Sequence, residues 1–195
     1  MKTFANLLDT LIATPVERRS DLEKFINDAY QQEKVVFALD MSGFTVSVQR
    51  DGILAHLCRI RRMQTITGPI IAKHNGELVK YEADNLLAVF DSVFDAIRAA
   101  IDMNQAALDE DVEQDRKIEF SIGMDMGHII LLDGVDCFGD AVNLAHKLGE
   151  DIARPGEILI TEKTKQLLAA YHPFELKEMP VSISGMKLPA YEVIQ

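Results

Sequence analysis

The sequence predicts an α+β domain in which helices cover a mixed β-sheet, and three observations lead there. Stretches with a two-residue hydrophobic period alternate with stretches of 3.6-residue period along the whole chain. One apolar run, "VVFALDM" at 35–41, suits a central strand covered on both faces. The 195 residues, 48% of them hydrophobic and 26% charged, are enough for one substantial core and fit one domain better than two. Alternation by itself is equally compatible with an α/β arrangement.

Residues 3–32 read as two helices separated at Pro15, since Leu7, Leu8, Leu11 and Ile12, then Leu22, Phe25, Ile26 and Tyr30, recur at helical spacing. This predicts an N-terminal helical extension over 1–33 and a main domain over 34–195. After the 35–41 strand, "SGFT" reads as a turn. A helix is expected from about Asp51 to Lys73, with Gly68-Pro69 kinking or interrupting it. "GELVKYEADNLLAVF" gives two strands, with Lys80, Glu82 and Asp84 on one face and Val79, Tyr81 and Ala83 on the other. "SVFDAIRAAIDMNQAALDE" is a strongly amphipathic helix. Strands "KIEFSIGMDM" and "HIILL" follow, then a helix from about Asp140 to Asp151. "EILIT" is a short strand, Thr161 caps the helix "EKTKQLLAA", and two or three short strands end the chain.

Composition narrows the function. A formal net charge of −11 argues against a nucleic-acid partner, which needs clustered Lys and Arg to neutralise phosphates. Arg59, Arg61 and Arg62 read as a solvated helix face. Cys58 and Cys137 provide neither a disulfide framework nor a metal-ligand spacing, so a reduced, cytoplasmic setting is expected. The apolar start "FANLLDTLIA" is interrupted by Asn6 and Asp9 and is too short to span a bilayer. The five histidines are scattered without ligand spacing.

Chemistry could sit at four places. Asp40 ends a strand beside the turn "SGFT", and Asp84 lies between two strands in "YEADN". Two carboxylates brought close repel one another, and a divalent cation relieves that repulsion. Gly43 would let backbone amides approach a polyphosphate. In "DCFGDAVNLAHK", Asn143 and Lys147 fall at i and i+4 and share one helix face, while Val142, Ala145 and Leu148 point to the core. "ARPGEILIT" is a loop feeding a strand. Each feature also has an ordinary structural reading, as a turn former or a solvated face.

The order of "FALDMSGFT", "GELVKYEADNLLAVF", "IGMDMGHI", "DCFGDAVNLAHKL" and "ARPGEILIT" closely resembles the catalytic domain of the class III nucleotide cyclases over roughly residues 34–195. The resemblance implies a ferredoxin-like βαββαβ core and a homodimer with active sites shared between subunits. It implies two Mg²⁺ or Mn²⁺ ions held by Asp40 and Asp84 with the Met41 carbonyl, and amides around Gly43, Phe44 and Thr45 gripping the triphosphate. Lys80 and Asp136 match the pair that reads adenine, so ATP is the implied substrate and cyclic AMP the product. Asn143 matches the residue that orients the ribose, and Lys147 stands where an arginine usually bears on the transition state. Glu82 receives no role and is expected to face solvent.

Some positions depart from the family pattern. Ala83 replaces a glycine, and is strained if that position needs positive φ. Ser121 and Ser184 stand where cations often grip phosphate, with Lys187 near the second, and the segment between Gly127 and Asp136 is short. Lost cations with retained metal residues imply slower turnover or weaker ATP binding. Two other readings follow: a weakly active or inactive nucleotide-binding and dimerisation module, and a cyclase for another base.

Overall fold

The computed structural model of the chain describes residues 3–42, 52–109, 117–169, 171–183 and 186–194, with the backbone alone at 182–183 and 186–188. Its centre is a βαββαβ unit. Strand β1 (Gln31–Met41) is followed by helix α3 (Ile53–Lys73), strands β2 (Glu77–Glu82) and β3 (Asn85–Phe90), helix α4 (Val93–Leu108) and strand β4 (Phe120–Leu132). Their order in the sheet is β2-β3-β1-β4, with all neighbours antiparallel, which is the ferredoxin-like arrangement. Beyond β4 the sheet continues through the parallel strand β6 (Ile158–Thr161) to β8 (Met186–Ile194) and β7 (Glu175–Ile183). The short strand β5 (Asp136–Phe138) folds back onto β4.

The sheet separates two apolar layers, and the alternation along β1 feeds both. Val35, Phe37, Leu39 and Met41 join Met63 and Ile71 of α3 and Ala96, Ile97 and Ala100 of α4 on one side. Val36 and Ala38 face the other side, where helix α5 (Asp140–His146) adds Ala141, Val142 and Ala145. Asp40 has the parity of this second face. A π-helical turn, Lys147–Ile152, continues α5, and a short helix α6 (Glu162–Gln166) starts at Thr161, whose hydroxyl accepts from the Thr164 amide.

Two glycines set how α5 lies on the sheet. A Cβ at Gly123 of β4 would stand 2.2 Å from the Ala145 carbonyl oxygen and 2.3 Å from the Gly149 nitrogen. One at Gly149 would stand 2.9 Å from the Ala38 carbonyl oxygen. Backbone therefore meets backbone, and no side chain fits between.

The N-terminal helices α1 (Phe4–Ala13) and α2 (Ser20–Tyr30) flank Pro15 as expected, with a 3₁₀ turn at Val16–Arg18 between them. Leu7 and Ile26 are buried, Phe4 meets Tyr30 edge-on at 5.0 Å, and α2 packs against β1 and β4.

Several expectations change. β1 starts at Gln31, inside the segment expected to be helical extension, because Gln31–Lys34 pair with Gly127–Ile130 of β4. That pairing also makes β4 one strand of 13 residues where two were expected. α3 runs through Gly68-Pro69 unbroken, since Met63, Thr67 and Ile71 bury one face of it on both sides of the proline. Lys73 and His74 at its end hold Asp102 of α4 at 2.7 and 2.8 Å, and these hydrogen bonds, Lys73's first, draw the Asp102 carboxyl below its ordinary range. The chain ends in two nine-residue strands, longer than expected.

Candidate active site

Asp40 and Asp84 come together at one end of the sheet. The β2–β3 hairpin closes through a two-residue turn, Ala83-Asp84, because Glu82 pairs with Asn85. Asp84 therefore lies in the turn and not on the strand face expected for it. Ala83 has φ of 52°, so the position does need the left-handed conformation that glycine adopts without strain. The Met41 amide donates to the Asp84 carbonyl at 3.1 Å, which pins the end of β1 to this turn.

Asp40 lies in register between Asn85 of β3 and Ser121 of β4. Burial first, then the negative charges of Asp84 and Glu150, push its carboxyl up to about 6. No ion pair reaches Asp40 among the described residues. Ser121, where a cation was expected from the family pattern, is buried, and its hydroxyl meets that of Ser42 at 3.2 Å. The donors assembled here are hard oxygens carrying excess negative charge, which suits a divalent cation such as Mg²⁺ or Mn²⁺. No cluster of three or more His, Cys, Asp or Glu arranged to hold a metal occurs among the described residues. Gly43, Phe44 and Thr45 lie outside the described residues, as does Ser184, and Lys187 is described by its backbone alone.

Lys80 and Asp136, 56 residues apart in sequence, meet directly: Lys80 Nζ donates to Asp136 Oδ2 at 3.1 Å. Asp136 Oδ1 accepts from the Cys137 amide at 2.9 Å, which fixes the carboxylate's orientation. A bulge between Leu78 and Lys80 sends Val79 into the α5-side core, not to the opposite face from Lys80. Glu82 has a partner as well, since it pairs with Lys80 at 3.1 Å while remaining largely exposed. The hydrogen bond that Lys80 donates to Glu82 is the largest of the causes that hold its pKa above the ordinary value; burial opposes it, and the bond donated to Asp136 adds to it. Cys137 packs in the core, and burial, then Asp136, pushes its thiol up to about 11.

Asn143 and Lys147 share the outward face of α5 and its π-helical continuation. Asn143 is exposed, and Lys147 reaches Asp151 at 3.3 Å. Among the described residues, no hydrogen bond or ion pair joins either of them to Asp40 or to Lys80.

Three neighbours escaped the sequence reading. Glu150 accepts from Asn85 Nδ2 at 3.2 Å and meets His146 Nδ1 at 2.6 Å, and these residues with Lys80, Glu82 and Leu87 line a cavity of about 250 Å³. His146 and Glu150 at i and i+4 were readable as a pair, but Glu150 sits in the π-helical turn and acts on Asp40 through its charge, which hydrophobic period does not reveal.

Residues 27–193 match the family described as the adenylate and guanylate cyclase catalytic domain. A putative adenylate cyclase 3 of Rhizobium meliloti (strain 1021) is 29% identical over an alignment of 160 residues that covers 76% of this chain and 27% of that protein. An uncharacterized protein of Mycobacterium tuberculosis (strain ATCC 25618 / H37Rv) is 26% identical over 150 residues, covering 77% of this chain and 38% of that one. The chain thus spans well under half the length of these relatives. Among solved structures, an adenylate/guanylate cyclase/hydrolase from Silicibacter pomeroyi aligns with a TM-score of 0.73 at 28% identity, covering 85% of this chain and 98% of that one. The adenylyl cyclase CyaB from P. aeruginosa aligns with a TM-score of 0.69 at 21% identity, covering 85% and 96%, a likeness of fold.

Proposed function

Because this chain belongs to the adenylate and guanylate cyclase catalytic domain family, we propose that it converts ATP to 3′,5′-cyclic AMP and pyrophosphate at sites shared between two copies of itself. The observation that carries the choice of base is the 3.1 Å contact of Lys80 with Asp136. One donor and one acceptor stand side by side, matching adenine N1, which accepts, and its exocyclic amine, which donates. Guanine presents the opposite pattern at those atoms and would leave both groups mismatched.

Asp40 and Asp84 would hold the divalent cations, with the Met41 carbonyl beside them. Bound there, such ions neutralise phosphate charge and make the ribose 3′-hydroxyl a better nucleophile. The rest falls to the chain's own groups. Asn143, exposed on α5, orients the ribose, and Lys147 bears on the charge that grows at the phosphates. Amides at Gly43, Phe44 and Thr45 grip the triphosphate. Asp40 and Asp84 of one copy face Lys80, Asp136, Asn143 and Lys147 of the other.

A second reading, a nucleotide-binding module with little catalysis, is favoured by one observation. Lys147, in place of an arginine, spends its charge on Asp151 at 3.3 Å and lacks the planar fork. One experiment separates the two readings: cyclic-nucleotide production from each of the four nucleoside triphosphates, with Mn²⁺ and with Mg²⁺, beside Asp40→Ala. The expected result is cyclic AMP from ATP that disappears in the variant. A different cyclic product overturns the choice of base. Metal-dependent ATP binding with no product selects the binding module.

A further inference from the structure

A cavity of about 320 Å³ lies on the α5 side of the sheet, between the helical segment, α6 and β8. It shares no lining residue with the cavity beside Lys80. Leu144, Leu148, Val181, Pro189 and Ala190 make its walls apolar, and Asp125 of β4 lines it while being only 3% exposed. Thr161, Glu162, Lys163 and Gln166 complete the lining, and an apolar concavity with a few placed polar groups is the usual form of a small-molecule site.

The carboxylate is more than the fold needs. The Thr161 and Thr164 hydroxyls both donate to Asp125 Oδ1, the second at 3.3 Å, and so tie the start of α6 to β4. A neutral amide oxygen would accept both bonds equally well. Among the described residues no side-chain donor is found on the second oxygen, Oδ2, and the Lys163 charge and the Met126 amide offset the carboxylate's charge without an ion pair. No ion pair reaches Asp125 among the described residues, although Lys163 and Glu162 both line the cavity. Burial favours the neutral form of such a group, and a cation arriving at Oδ2 would reverse that preference.

We propose that this cavity binds a small organic ammonium: an apolar body of about a dozen heavy atoms whose protonated amine donates to Asp125 Oδ2. The walls accept the body, and the buried carboxylate accepts the head through a charge-assisted hydrogen bond. Leu144 and Leu148 belong to the same helical segment as Asn143 and Lys147, so the ligand would rest against the back of the segment that carries them.

The test is a backbone amide NMR titration of the full chain with 4-phenylbutylamine, 4-phenylbutanol and 4-phenylbutyrate, which share a body and differ in the head. The amine is expected to shift the amides of Asp125, Leu144, Leu148 and Ala190 saturably, with a Kd at least about tenfold below that of the alcohol. Asp125→Asn keeps an acceptor for both threonines and should bring the amine to the level of the alcohol. The comparison among the three probes in the unmodified protein stands without any variant. The proposal is overturned if the carboxylate binds as well as the amine, which would assign the site to Lys163. It is equally overturned if none of the probes shifts those amides, or if Asp125→Asn binds the amine unchanged.

Discussion

At Asp40, burial and two like charges oppose the ionised state on which a metal-binding role depends. Its folded-state pKa of about 6 lies above the ordinary carboxyl value of 3.8, so between those limits the native protein holds the extra proton. The contribution of this residue to stability is therefore full below pH 3.8 and is lost as pH rises through about 6. In EDTA, Asp40→Asn should melt higher than the unmodified protein at pH 8, and the two should converge as pH is lowered towards 4. A melting difference that is the same at both ends would show that the carboxylate carries no such charge penalty. Ala83 presents a different kind of strain. Its φ of 52° costs about 1–2 kcal/mol in a residue with a Cβ. Glycine avoids that cost but adds about 0.5–1 kcal/mol of chain entropy to the unfolded state. Ala83→Gly should raise the unfolding free energy by about 0.5–1 kcal/mol, and denaturant titration reads it directly. A loss of stability would mean the turn tolerates alanine without strain.

At the scale of elements, the seat of α5 on the sheet decides where Asn143 and Lys147 stand. Gly123 and Gly149 allow the contact, and the atoms a methyl group would strike are backbone, which does not rotate away. Gly123→Ala should therefore cost about 3 kcal/mol, seen as a fall in Tm of roughly 6–12 °C for a chain of this size. It should also reduce cyclase turnover beyond the effect on stability, because the displaced helix carries Asn143 and Lys147. An alanine variant with an unchanged Tm would refute the close packing. The hairpin of β2 and β3 does comparable work beside it. Its bulge sets Lys80 towards Asp136, and its turn is bonded to Met41, so the groups proposed to read the base and to hold metal hang from one short element.

For the molecule as a whole, the proposed division of labour between two copies makes activity a property of the pair. Specific activity should fall as the protein is diluted, and a rate per chain independent of concentration would remove the shared site. No helix among the described residues is long and apolar enough to cross a membrane. Much of the fold was legible in the sequence because each element carries its own hydrophobic period: the buried run of β1, the amphipathic α4 and the cap at Thr161 stand where they were expected. Asp40, Lys80, Asp84, Asp136 and Asn143 were nominated from the order of a family motif, and their roles are those of the proposed function. Long-range pairing was not legible. The early start of β1 and the continuity of β4 are properties of two strands in register, and neither strand contains that information alone. The same is true of Glu150, which lies in a π-helical turn and acts on Asp40, and of Asp125, whose two threonine donors are seen to share a single oxygen only in the folded chain. The sequence by itself determined which groups are available and which segments are strands or helices, because those depend on local chemistry and period. Only the tertiary structure decided which charges meet and which stay unpaired, because distance through space and burial are set by the packing of segments far apart in the chain.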